Sequence, residues 1–135
     1  MNKSNRRKFI STAAALTAGT AATAMTISPK NKKYGIAHQV YFWLKKPGSV
    51  EDRQKLIEGI KTLKKIETVR EIHIGIVANT EKRSVIDSSW GVSELLFFDD
   101  LSGQASYQTD PIHLDFVKNY SNLWDKVLIY DAEMV

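Results

Sequence analysis

The sequence predicts an α+β domain in which an antiparallel sheet carries helices on one face. Three observations predict it. Strand-like and helix-like segments alternate in the order β-α-β-β-α-β between residues 36 and 132. The first strand bears large apolar groups on both faces. One late stretch, YQTDPIHLDF at residues 107–116, combines a helix start with an apolar stripe. Four strands and two helices in that order form the ferredoxin-like pattern. A chain of 135 residues suffices for one such domain around one core.

Before the domain comes a segment that reads as an address. Residues 5–11, NRRKFIS, lead into STAAALTAGTAATA and a small-residue site at Ala22-Thr23-Ala24. Paired arginines with Phe9 and Ile10 resemble a twin-arginine export signal over residues 1–24, although Asn5 stands where a Ser or Thr is usual and Ser11 where a Lys is usual. That implies a periplasmic or otherwise exported protein that meets the membrane only in transit. A membrane anchor is the competing reading. The uncharged run from Phe9 to Ser28 is long enough, but five threonines and Gly19 make it weakly apolar for a span. Residues 25–33, MTISPKNKK, form a polar leader.

Within the domain, Ile36–Lys45 reads as a strand. Alternation puts Ile36, His38, Val40, Phe42 and Leu44 on one face, and Gln39, Tyr41 and Trp43 on the other. Covering both faces requires helices on one side and a second subunit or sheet on the other. Pro47-Gly48 ends the strand. Ser49 with Asp52 resembles a capping box, and Leu56, Ile60 and Leu63 mark a helix that ends near Lys65. Val69–Ala78 is the second strand, with Ile72, Ile74 and Ile76 on one face and His73 on the other. A polar loop over 79–89 leads to a third strand, Trp90–Phe98. Residues 101–108 suggest a short helical turn. Asp110-Pro111 then starts a helix reaching about Leu123, because aspartate accepts from free first-turn N–H groups and proline suits the first helical position. Lys126–Ala132 is the last strand.

Charge and motifs exclude several functions. Four of the basic residues, Lys3, Arg6, Arg7 and Lys8, sit at the extreme N-terminus, where no acidic residue occurs before Glu51; without them, Lys+Arg equal the 15 Asp+Glu. A neutral domain lacks the positive excess that nucleic-acid binding needs. The absence of cysteine excludes disulfides, thiol chemistry and thiolate-ligated metals. There is no glycine-rich phosphate loop and no H-E-x-x-H, and no cofactor motif is evident. Histidines on separate elements lack a carboxylate spaced to complete a metal site. Asp99-Asp100 reads as a helix cap rather than a catalytic pair, and KTLKK as a solvated face.

One set of residues does suggest chemistry. Winding the last helix at about 100° per residue puts His113 inside the apolar stripe of Ile112, Phe116, Tyr120 and Leu123. If the first strand's His38 face meets the helices, His38 looks towards it, and Tyr107 can reach the same space. Two imidazoles and a phenol in an apolar pocket form an acid/base set, because histidine titrates near neutrality and tyrosine can donate to a carbonyl or enolate oxygen. The plainer alternative is that His38 and His113 are satisfied core residues. Tyr41, Trp43 and His73 read as interface or surface.

His38 opening HQVYFWLK, the loop 79–87, the strand ELLFF, and above all YQTDPIHLDFV followed by Trp124 resemble the Dabb family, the stress-responsive A/B barrel domain. The resemblance covers residues 34–135. It implies subunits that dimerise sheet to sheet into a closed α/β barrel. A plant polyketide cyclase of the family uses a tyrosine and a histidine for aldol closure; its motif falls on Tyr107 and His113, and a strand histidine of its pocket on His38. Where the family commonly has histidine before the proline, this chain has Asp110, a better cap than proton carrier. The expectation is a homodimer whose small apolar pocket binds a small carbonyl or aromatic compound, with His113, Tyr107 and His38 as candidate catalytic residues for aldol, cyclase or isomerase chemistry without a cofactor. The alternatives are a non-catalytic ligand-binding or stress-protective dimer, and a dimerisation module for another exported protein.

Overall fold

The computed structural model describes residues 33–135. The signal reading of residues 1–24, and all but the last residue of the 25–33 leader, lie outside them.

The strands are β1 (Ile36–Leu44), β2 (Glu71–Gly75), β3 (Val92–Phe98) and β4 (Trp124–Glu133). They form one antiparallel sheet in the order β2-β3-β1-β4. Alternation assigns the faces. Ile36, His38, Val40, Phe42 and Leu44 of β1 are buried, as are Val92, Glu94, Leu96 and Phe98 of β3. Helix α1 (Val50–Lys61), extended by a 3-10 turn over Thr62–Lys65, lays Leu56, Ile60 and Leu63 on that face. Full burial of each such side chain contributes about 1.5–3 kcal/mol. The Ser49 hydroxyl accepts from the Asp52 amide at 3.2 Å, so the expected N-cap is present.

The second helical region differs from expectation. Instead of a short turn and one helix there are two helices, α2 (Leu101–Thr109) and α3 (Pro111–Tyr120), the latter followed by a 3-10 turn over Ser121–Leu123. Asp100 caps α2 by accepting from the Gly103 amide at 2.8 Å. Only Tyr107 of α2 is buried, so the sequence offers almost no apolar periodicity there. The break follows from Pro111. A residue before proline is pushed out of the helical region, and Asp110 sits at φ −62°, ψ 134°. Its side chain accepts from the Ile112 amide at 2.8 Å, capping α3 as its sequence suggests.

Strand limits follow partner limits. β2 is shorter than Val69–Ala78 because it pairs only with β3, from Glu71↔Phe97 to Gly75↔Ser93. Ile76 falls beyond the last pair and is exposed. β4 is longer than expected because it runs along all of β1, from Leu44↔Trp124 to Ile36↔Glu133.

Helices cover β1 and β3 but leave β4 bare. Val127 and Ile129, on the helix side, and Leu128 and Tyr130, on the other, are all exposed. The open face carries an aromatic group: Tyr41 meets Trp90 edge-on at 5.1 Å and Tyr130 at 6.4 Å, and the Lys126 ammonium lies 4.3 Å over Trp43.

α3 is held against α1 at one close approach. A Cβ on Gly59 would lie 2.7–2.8 Å from ring carbons of Tyr120. Ordinarily Gly→Ala within a helix stabilises by roughly 1 kcal/mol. Here the sign is expected to reverse: Gly59→Ala should lower stability by about 1–3 kcal/mol, read as a lower denaturant midpoint, because the ring cannot yield without shifting α3. A raised midpoint would contradict this packing.

Candidate functional site

Three elements converge under the uncovered edge of the sheet. β1 presents His38, which is 3% exposed, in register with Asp131 of β4. The His38 Nδ1 lies 2.5 Å from Asp131 Oδ1. An ionised carboxylate only accepts, so with Asp131 in that form Nδ1 carries the hydrogen and is the donor of this pair. α2 presents Tyr107, which is 2% exposed, its ring edge-on to His38 at 5.7 Å and to Phe98 at 5.2 Å. α3 presents His113, half-buried, with its ring centre 4.4 Å from that of Tyr107.

The orientation of His113 comes from the helix break. The last carbonyls of a helix have no partner within it. Because α2 stops at Thr109, the Gln108 carbonyl is free to accept, and His113 Nδ1 reaches it at 3.1 Å. A carbonyl cannot donate, so the hydrogen sits on Nδ1 and Nε2 remains the basic nitrogen. Burial holds the His113 pKa below its ordinary value, outweighing the Gln108 contact that raises it. The ring is therefore neutral at neutral pH.

His38, Tyr107 and His113 line one cavity of about 300 Å3, whose walls are otherwise mainly apolar: Val40, Phe42, Phe116 and Trp124. Val127 and Ile129 of the bare strand border it. This is the lower end of the size range for small-molecule sites.

A fourth polar group in the wall is Glu94, 1% exposed, on the buried row of β3. Tyr107 Oη donates to Glu94 Oε1 over a long 3.4 Å, and Oε2 meets no hydrogen-bond partner among the described residues. Burial pushes the carboxyl up to about 8, with the Tyr107 contact pulling the other way. Burial and the carboxyl beside it also raise the Tyr107 phenol. Both groups hold their protons at neutrality.

Sequence reasoning missed Glu94 and Asp131. Glu94 was detectable: the alternation Val92, Glu94, Leu96, Phe98 puts a carboxyl on the row that must be buried. Asp131 was not, because its place beside His38 depends on the β1–β4 register. The remaining residues lie elsewhere. His73 is exposed on β2, 3.3 Å from Glu71, and Tyr41 and Trp43 are on the opposite sheet face. Asp99 pairs with Arg70 at 2.8 Å, while Asp100 and Asp110 cap helices. Among the described residues no three His, Asp or Glu side chains are grouped to hold a metal.

The fold and its cavity define a ferredoxin-like α+β protein with a pocket between sheet and helices. The model of the stress responsive A/B barrel domain, Dabb, matches residues 36–134. The chain belongs to that family. Similar solved structures include a dimeric protein of unknown function with a ferredoxin-like fold from Bacteroides fragilis, 23% identical over 73% of this chain and 95% of its own, with a TM-score of 0.57. A Dabb family protein from Mesorhizobium loti is 20% identical over 76% and 98%, with a TM-score of 0.61. A hydroxynitrile lyase from Passiflora edulis is 16% identical over 74% and 93%, with a TM-score of 0.62. At these identities the likeness is one of fold. No curated protein matches the chain.

Glu94 gives a signed stability prediction. Its native pKa, about 8, lies above its ordinary 4.5, so the folded state holds a proton that the unfolded chain releases. That contribution is complete below pH 4.5, declines as pH rises, and is gone above about 8. Glu94→Gln should remove the decline, leaving the variant more stable than wild type at pH 9 by on the order of a few kcal/mol relative to their difference at pH 4. His113, with its lowered pKa, acts in the opposite direction below 6.5 but is common to both proteins. Parallel stability–pH curves from urea unfolding would show that Glu94 is not buried as described.

Proposed function

We propose that this is an exported homodimer whose cavity binds a small carbonyl or aromatic compound and does His/Tyr acid–base chemistry on it. One observation carries the reading. His38 and His113 each have Nδ1 against an acceptor, Asp131 and Gln108, which leaves Nε2 of each ring for a ligand in the same apolar cavity, and on the neutral His113 that nitrogen is a base. His113, neutral and half-buried, takes a proton from the carbon next to the carbonyl. Tyr107 donates to the oxygen on which the charge develops. Its 3.4 Å bond to Glu94 is long enough to be given up for that oxygen. His38, oriented by Asp131, returns or shares the proton. Reprotonation at another carbon gives isomerisation; attack on a second carbonyl gives aldol closure. One fold neighbour is named a hydroxynitrile lyase, which is compatible with lyase chemistry on this scaffold.

The alternative is a ligand-binding or stress-protective dimer without turnover. The engagement of the Tyr107 hydroxyl with Glu94 favours it, since that donor is not free in the resting protein.

Dimerisation is supported by the aromatic open face around Tyr41, Trp43, Trp90 and Tyr130, and by neighbours described as dimeric. Export is supported by Arg6-Arg7 and the segment behind them.

Two outcomes are expected. The protein should speed exchange of the methyl hydrogens of acetophenone in D2O, read as loss of the proton NMR signal. His113→Asn and Tyr107→Phe should each slow it by about 100-fold or more. Unchanged exchange in both variants would leave the binding alternative. A tagged full chain should also fractionate with exported proteins and sediment at twice its monomer mass; a cytoplasmic monomer would contradict that part of the reading.

A further inference from the structure

Glu94 is the one buried titratable group in the cavity wall without a role in the chemistry above. It comes from the centre of β3, opposite Val40 of β1 and Ile74 of β2, so the strand ladder fixes its position. A carboxyl that is 1% exposed, with one oxygen lacking any partner among the described residues, is costly to fold around. Its other oxygen lies 3.4 Å from the Tyr107 hydroxyl, close enough for both groups to reach one acceptor at ordinary hydrogen-bond lengths. Building on the carbonyl-site reading of the cavity, we propose that Glu94 and Tyr107 form a two-donor cradle for the ligand's carbonyl oxygen, so that the preferred ligand is an uncharged ketone or aldehyde.

The surroundings fit a donor better than a carboxylate. Lys and Arg are absent from the cavity lining, and its walls are apolar. A carboxylic acid kept protonated by such walls donates a hydrogen bond and strengthens its hold as negative charge grows on the acceptor. An ionised Glu94 would instead repel that charge and favour an amine. The titratable groups sharing the cavity are Tyr107 from α2, His113 from α3 and His38 from β1, the last backed by Asp131 of β4. β2 sets Ile74 opposite Glu94, and α1 turns Leu56 and Ile60 to the core. Burial holds His113 below its ordinary pKa, away from the range above neutrality, and comparison with Glu94→Gln isolates the pH effect of Glu94.

The test compares acetophenone with α-methylstyrene, which has nearly the same shape but a methylene in place of the oxygen. Binding to the full chain is read from the NMR shifts of the Tyr107 and His113 amides. At pH 6.5 acetophenone should bind about tenfold more tightly. The preference should fade as pH rises through about 8. Glu94→Gln, which keeps an N–H donor, should hold the preference to pH 9.5, and Glu94→Leu, which leaves Tyr107 as the single donor, should reduce it severalfold at pH 6.5 and remove its fading through pH 8. If Glu94→Leu does not fold, wild type and Glu94→Gln decide the matter between them. Equal binding of the two compounds in wild type, or a preference undiminished in Glu94→Leu, overturns the role of Glu94 while leaving the cavity as a binding site. No shift with either compound overturns both readings.

Discussion

Proline at position 111 has no amide hydrogen and will not tolerate a helical residue before it, and the site depends on that constraint. It ends α2 at Thr109 and restarts the chain as α3. Asp110 absorbs the change: its amide donates to the Tyr107 carbonyl at 3.2 Å, its side chain caps Ile112, and its carbonyl accepts from Leu114 at 3.0 Å. The break leaves the Gln108 carbonyl open, and His113 fills it. One covalent restriction therefore places Tyr107 at the end of one helix and His113 at the start of the next, with their rings in contact and the histidine tautomer chosen.

The sheet contributes the rest through register. β1 is central and paired on both sides, so His38, Glu94 and Asp131 are fixed by the same ladders that build the core. Two of these three are buried in an otherwise apolar face. A hydrophobic residue at either place would suit stability better. The helices stop short of β4, so the same face that forms the core between α1 and β3 becomes a cavity beside β1. Its apolar wall shifts both ionisable neighbours in the same sense, towards their uncharged forms: His113 loses its proton more readily, and Glu94 keeps its own.

Much of this was legible in the sequence. Period-two alternation in IAHQVYFWL placed His38 with Val40 and Phe42, and Asp110-Pro111 marked the start of α3. The same proline also implied the end of a preceding helix. The helix itself is not legible, because α2, LSGQASYQT, buries only Tyr107 and offers no apolar stripe. Strand ends at Gly75 and Trp124 are set by partners, which no single segment reveals. Glu94 stood in plain view within ELLFF, on a row whose alternation requires burial. Asp131 became visible only with the β1–β4 pairing.

The most direct measurement is the tautomer of His113 in the free protein, from long-range proton–nitrogen NMR correlations at pH 7. A neutral ring with its hydrogen on Nδ1 and a bare Nε2 is expected, since Gln108 offers only an acceptor and burial disfavours the charge. A hydrogen on Nε2, or an imidazolium at that pH, would mean that the helix break does not prepare a base, and acid–base chemistry at this cavity would lose its foundation.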